Sequence, residues 1–286
     1  MPSIRMIRRR IRSVQNTAKI TKAMSMIAAS KMRRAQQKAL AARPYAERMR
    51  DVLADLAAQS SAEWDLPALL LPREEIRRVE VIHITPDRGL CGGLNANLNR
   101  RATAFLLELT APASIVAAGK KGRDFMVRYG REVRAEFTNL TDNPTILDVA
   151  PIARIAIDDY VSGYADQVHL VYSQFVSTMV QRPILRQLLP IQPAEIERRQ
   201  AVGYIYEPDM LAVLRELLPR FVEMQLYHAL VESIASEQSA RMVAMRSATD
   251  AALDMIGGLT LMLNKARQES ITKELLDIVG GVAALE

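Results

Sequence analysis

The sequence predicts an α/β fold: a long antiparallel coiled coil of N- and C-terminal helices, with a small Rossmann-like α/β domain inserted between them. Two observations predict the coil and a third predicts the insert. Apolar or small residues alternate at three- and four-residue spacing through both ends of the chain, which is the seam of paired helices. The centre instead alternates short β-branched runs with helical stretches, the order of a largely parallel sheet covered by helices.

The first element covers residues 1–60. Its seam is Ile4, Ile7, Ile11, Val14, Ala18, Thr21, Ser25, Ala28, Met32, Ala35, Ala39 and Ala42. The small members imply close approach of a partner helix, and Pro44 is a candidate kink. The matching seam lies in residues 207–286. It runs through Phe221, Met224, His228, Val231, Ala235, Gln238, Met242, Met245, Thr249, Ala252, Ile256, Leu259, Leu263 and Ala266. Gly257 and Gly258 interrupt it at a cost of about 1 kcal/mol each relative to Ala. The C-terminal helix is the longer one, so its last turns should project past the start of the chain. That overhang holds Ile271, Leu275, Leu276, Ile278, Val279, Val282 and Leu285. A lone helix so apolar needs an apolar sleeve from another chain.

Residues 73–195 form the insert. Strands are expected at 78–85, 114–118, 132–137 and 167–173, with an edge strand at 184–191. Helices are expected near 95–109, 120–129 and 145–163. Residues 60–72 and 193–203 are the joints.

Charge divides the chain. Residues 1–50 carry 14 Lys or Arg against one acid, Glu47, whereas residues 207–286 carry 12 acids against 7 bases. A basic helix therefore lies beside a mildly acidic one. Exposed ion pairs contribute only about 0–1 kcal/mol each, so seam burial must dominate and charge sets register. A basic coiled coil also raises the alternative of nucleic-acid binding. It lacks aromatic interleaving, and its seam is committed to helix pairing.

Cys91 is the sole cysteine, and the three histidines are scattered over separate elements. No disulfide within the chain or thiolate metal site can be built from them, and a reduced compartment is expected. The Arg-rich start continues unbroken into the helical pattern, so it reads as mature protein rather than a transit peptide.

One stretch invites a nucleotide. TPDRGLCGGLNANL, residues 85–98, joins a strand to a helix with Gly89, Gly92 and Gly93. Its spacing matches neither the phosphate loop nor the dinucleotide fingerprint, and Gly119-Lys120-Lys121-Gly122 fails likewise. The first loop reads as a tight turn needing small residues, in which Asp87 and Arg88 cap or pair locally. Asp158-Asp159 and Glu74-Glu75 read as solvated charges. No catalytic set, cofactor site or metal site is expected.

Three segments carry a resemblance: IRRRIRSVQNTAKITKAMSMIAASKMRRAQ, ITPDRGLCGGLNANL, and EQSARMVAMRSATDAA with LTLMLNKARQESITKELLDIVGG. Together they resemble the gamma subunit of rotary F-type ATP synthases, over essentially the whole chain. The resemblance implies a non-catalytic rotor shaft, one copy per complex. It would sit inside a ring of alpha and beta subunits, with its foot on the c-ring beside the epsilon subunit. It further implies that Met24, Arg241, Arg267, Gln268, Thr272, Glu274 and Asp277 serve coupling and contact with beta subunits. Tyr204 and Glu207 would serve the foot against the c-ring. Without the cysteine pair of thiol-regulated chloroplast relatives, the cytoplasmic face of a bacterial membrane is the expected location.

Overall fold

The computed structural model describes residues 3–59, 67–192 and 209–283. Helix α1 spans Ile4–Gln59 and α5 spans Met210–Ala283. Pro44 and Pro219 lie inside these helices without ending them. Between them, in chain order, come β1 (Val79–Ile84), α2 (Leu94–Glu108), β2 (Ala113–Ala118), α3 (Lys120–Arg128), β3 (Glu132–Phe137), α4 (Ile146–Val161), β4 (Gln167–Phe175) and β5 (Gln181–Leu189). Every expected strand and helix is present, with ends moved by a few residues, while residues 60–66 and 193–203 of the expected joints lie outside the described residues. The largest shift is at the edge strand: β5 begins before Pro183, which pairs with Ser173. An outermost strand tolerates the missing N–H.

The chain divides into two compact units. The first, residues 1–28 with 242–286, is a two-helix coil. Thr21 and Thr249 share a hydrogen bond of 2.6 Å, and Ser25 Oγ donates to the Met242 carbonyl at 3.3 Å. Numbering rises on α1 as it falls on α5, so the helices are antiparallel. The two polar seam residues of α1 are thus satisfied by α5. Every seam residue in this unit is buried or half-buried. Extending the register brings Ile4 level with the neighbourhood of Ala266. Beyond it, every residue from Ile271 to Val279 is exposed, with Leu276 at 66% and Val279 at 65%. The projecting tip is therefore observed, although Leu285 and the side chain of Val282 lie outside the described residues. Gly257 and Gly258 sit exposed within α5, and an added Cβ would meet nothing within 4 Å.

The second unit, residues 29–241, holds a five-stranded sheet in the order β3-β2-β1-β4-β5. The first four strands are parallel and β5 is antiparallel to β4. Strand β1 is buried along its whole length. On one face Val79, Val81, Ile115 and Ala117 pack against α2 through Leu98, Ala102 and Phe105. On the other, Ile82, Ile84, Val116 and Leu170 pack against α4 and the first half of α5. That layer includes Ile152, Ala156, Leu218, Val222, Leu226 and Leu230, and Ala35 and Met49 of α1 join it.

Helix α4 begins with a capping box. Asp148 accepts from the backbone N–H of Thr145 at 2.7 Å and from its hydroxyl at 2.8 Å. These bonds to the charged form hold the Asp148 carboxyl below its ordinary range, and such a cap stabilises a helix by about 1 kcal/mol.

The expectation that Asp158 and Asp159 are both solvated is corrected here. Asp158 is exposed, but Asp159 is buried. It accepts two hydrogen bonds from Arg134 of β3, at 3.2 and 3.3 Å. A doublet on a helix places its members about 100° apart, so one faces water while the other faces the sheet.

Candidate functional site

In a doubly wound sheet, ligands bind at the carboxyl ends of the strands where the crossover direction reverses. Here that point lies between β1 and β4, and α5 occupies it. Ser233, Ser236 and Ser239 form a stripe at three-residue spacing. Ser233 Oγ accepts from the Ser173 N–H at 3.3 Å, and Ser236 Oγ donates to the Ser173 carbonyl at 3.0 Å. Ser239 Oγ donates to the Thr178 carbonyl at 2.7 Å. Small hydroxylic side chains let the helix approach and satisfy the strand end that a ligand would otherwise meet.

The second place for an anion, the N-terminus of α3, is also filled. Its backbone N–H groups at Lys120, Lys121 and Gly122 donate to Asp87 Oδ1 (2.8 Å), the Pro86 carbonyl (3.1 Å) and Thr85 Oγ1 (2.8 Å). Asp87 thus stands where a phosphate would be held. The cleft beside it measures about 40 Å³ and has Asp87, Asp142 and Glu237 in its wall. Ligand pockets usually enclose roughly 300–1,000 Å³, and three carboxylates repel phosphate.

Sequence spacing drew attention to the wrong glycines. A Cβ at Gly89 would meet nothing, and at Gly93 only Asn97 Nδ2 at 3.7 Å. Gly92 alone in that loop is needed, for its φ of 59°. The tight approach is instead at Gly119, where a Cβ would lie 1.8 Å from the Thr85 carbonyl oxygen, and at Gly122, against His83 and Thr85.

The loops at this edge form a collar on the two long helices. Arg241 of α5 donates to the Gly89 carbonyl at 3.2 Å and to Glu237 at 2.6 Å. Both side chains of that pair are mostly buried. Burial raises the Glu237 carboxyl despite the opposing Arg241 charge, with Asp142 and Asp87 adding to the rise. The neighbouring Cys91 thiol is likewise raised by burial, which keeps it protonated and unreactive.

Helix α1 is held by two lysines seven residues apart. Lys31 pairs with Asp142 at 2.5 Å, and Lys38 donates to the Pro144 carbonyl at 2.7 Å. Asp142 also accepts from Gln238 of α5 at 3.5 Å, so one loop is tied to both helices. Sequence reasoning missed Lys31, Lys38, Asp142 and Glu237, because nothing local marks which charges meet. The serine stripe was missed as well, although its three-residue spacing is a signal that could have marked it.

The residues expected from the resemblance fall in different places. Met24 is half-buried on α1 in the coil unit, whereas Arg241 belongs to the α/β unit and is engaged by the collar. Arg267, Gln268, Thr272, Glu274 and Asp277 are all exposed near the projecting tip. Among them, Thr272 Oγ1 donates to the Gln268 carbonyl at 2.9 Å, and Glu274 accepts from Ser270 at 3.3 Å. Tyr204 and Glu207 lie outside the described residues.

Comparisons with known proteins point to one family. A family model described as ATP synthase matches residues 3–285. A protein named ATP synthase gamma chain from Dehalococcoides mccartyi is 59% identical over 286 residues, covering 100% of both chains. Another of that name, from a Roseiflexus species, is 52% identical over 288 residues, covering 100% of this chain and 99% of the relative. Among solved structures, a chain of the Tetrahymena thermophila mitochondrial ATP synthase central stalk and c-ring has a TM-score of 0.62 at 25% identity. The match covers 80% of this chain and 99% of that one. A chain of the Euglena gracilis mitochondrial ATP synthase has a TM-score of 0.68 at 20% identity, covering 99% and 94%. At that identity the second likeness speaks for the fold alone.

Proposed function

The chain belongs to the ATP synthase gamma family, the central-stalk subunit of the complex, and on that premise we propose that it is a torque-transmitting rotor shaft. It couples an ion-driven c-ring to a catalytic hexamer of alpha and beta subunits, in the direction of either ATP synthesis or hydrolysis. Chemistry occurs on the neighbouring chains, and this subunit binds no nucleotide of its own. The observation that carries the reading is the projecting tip. From Ile271 to Val279 every residue is exposed and five are large and apolar. Exposing such a face is unfavourable by roughly 25 cal/mol per Å², so it fits an apolar bearing formed by the hexamer.

Several further features support the reading. Helices α1 and α5 are each unbroken, over Ile4–Gln59 and Met210–Ala283, so a twist applied to either would be carried by continuous backbone. Polar groups suited to intermittent contact with beta subunits stand at Arg267, Gln268, Thr272, Glu274 and Asp277. Met24 offers a compact apolar surface to a moving beta segment. Biasing the beta sites in turn is then rigid-body allostery rather than chemistry on gamma. The α/β unit, with Tyr204 and Glu207, would rest on the c-ring beside the epsilon subunit. No helix among the described residues is long and apolar enough to cross a membrane, consistent with peripheral attachment at the cytoplasmic face of a bacterial membrane.

Co-purification with tagged alpha and beta subunits tests this. A stable complex with one copy of this chain per three of each partner is expected. Failure to associate, with the chain folded, would remove the proposal.

A further inference from the structure

Strand β1 carries one acid, Glu80, in the middle of the sheet, and it is completely buried. In the ladder it lies between Ser114 of β2 and Val168 of β4. Its neighbours in alternation, Ile82 and Ile84, belong to the layer that α4 covers. Neither Glu80 oxygen meets an N–H or O–H donor, and the hydroxyl of Ser114, also completely buried, has no partner.

Each element around Glu80 contributes differently. Helix α4 supplies the Asp159 carboxylate, and β3 supplies Arg134, which is already bound to Asp159 through two nitrogens. The Tyr160 hydroxyl is engaged by the Leu71 carbonyl. Strand β2 offers the neutral Ser114, and Val168 of β4 brings no charge. Further out, Arg134 and Arg78 both stack on the Tyr164 ring, at 4.8 and 4.6 Å, and Arg78 pairs with Glu132.

Two guanidiniums in this network are therefore matched by two carboxylates. An ionised Glu80 would be a third negative charge with no cation and no water. A protonated Glu80 removes that charge and supplies an O–H to the Asp159 carboxylate. Burial first, then the Asp159 carboxylate, which can accept only from the protonated form and carries a like charge, push the Glu80 carboxyl up from 4.5 to about 8, with Arg134 opposing.

We propose that Glu80, Asp159 and Arg134 form a proton-dependent latch holding α4 on β1, closed by a proton shared between the two carboxyls and weakened as the medium turns alkaline. It stands independently of the rotor reading. Helix α4 starts at the loop that Lys31 and Lys38 hold, so freeing α4 from the sheet also loosens the support of that loop.

The direction follows from linkage. Glu80 binds its proton more tightly when the latch is closed, so opening releases a proton. The stabilisation is complete below the ordinary carboxylate range and is lost as pH rises towards about 8. Opening should become easier by about tenfold per pH unit between roughly pH 5 and 8, then level off.

Hydrogen exchange of the full chain, corrected for intrinsic rates, reads this directly. Protection of residues 152–161 should follow that profile, and Glu80→Gln should flatten it. Matching pH profiles in the two proteins would overturn the latch. Should Glu80→Gln not fold, infrared spectroscopy of the unmodified chain decides. A buried protonated carboxylic acid is expected at pH 7 that ionises near pH 8, and its absence at pH 7 overturns the proposal. Asp159→Asn separates proton sharing from burial alone: the midpoint should move to lower pH, and an unmoved midpoint refutes the pairing.

Discussion

Replacing Gly119 by Ala tests how the carboxyl edge of the sheet is built. Gly119 sits at φ 119°, and a Cβ there would lie 1.8 Å from the Thr85 carbonyl oxygen and 2.7 Å from its carbon. Relief requires the chain to move by more than an ångström, because both atoms belong to backbone. Such a shift strains the bond from the Thr85 N–H to the Ala118 carbonyl and the bond from Gly119 N–H to Phe137, each 2.8 Å. Losing two such bonds costs about 2 kcal/mol, and holding an L-residue in that backbone region adds about 1–3 kcal/mol. The sum is about 4 kcal/mol, or roughly a thousandfold in local opening. Gly89→Ala is the control: nothing lies within 4 Å of its Cβ, so a change within about 1 kcal/mol is expected. Hydrogen exchange of strands β1 and β2 measures both. Similar protection in the two variants would refute the steric reasoning.

Three further outcomes follow from the same geometry. The Lys31–Asp142 pair is short but 34% and 51% exposed, so a double-mutant cycle to Ala by thermal unfolding should give about 1 kcal/mol or less, falling with salt; a value above about 2 kcal/mol would show that the collar is not solvent-screened. Truncation after Glu269 removes only the exposed tip and nearby residues, so exchange in the α/β unit should be unchanged while affinity for an alpha–beta hexamer drops; failure of the shortened chain to fold would contradict the overhang argument. Met24→Lys should lower the ions pumped per ATP hydrolysed in reconstituted vesicles with little loss of thermal stability; unchanged pumping would count against its proposed contact.

The coil was legible because a seam repeats: alternating three- and four-residue steps place Ile7, Ala18, Thr21 and Ala28 on one face, and each is buried. The parallel order of the insert was legible for a similar reason, since strands separated by helical stretches can return only by crossover. The collar was not legible. Whether Asp142 meets Lys31, 111 positions away, depends on how α1 and the loop before α4 pack within the second unit. Asp159 was misread for the same reason, its partner Arg134 lying on a different element. Glu80 did leave a signal. A single acid in VEVIHI, a run whose only other polar member is His83, marks a buried carboxyl, and only the structure shows what surrounds it.

The adjacent glycines of α5 bear on how a twisting load would be distributed along the coil. Gly257 and Gly258 make no close approach to anything, so packing does not explain them. Each lacks the side chain that stiffens a helix, and each lowers local helix stability by about 1 kcal/mol relative to Ala. Under torsion the deformation would concentrate at that one turn, leaving the seam residues on either side nearly rigid. Under such a load the pair would behave as a spring of low stiffness in series with stiffer segments.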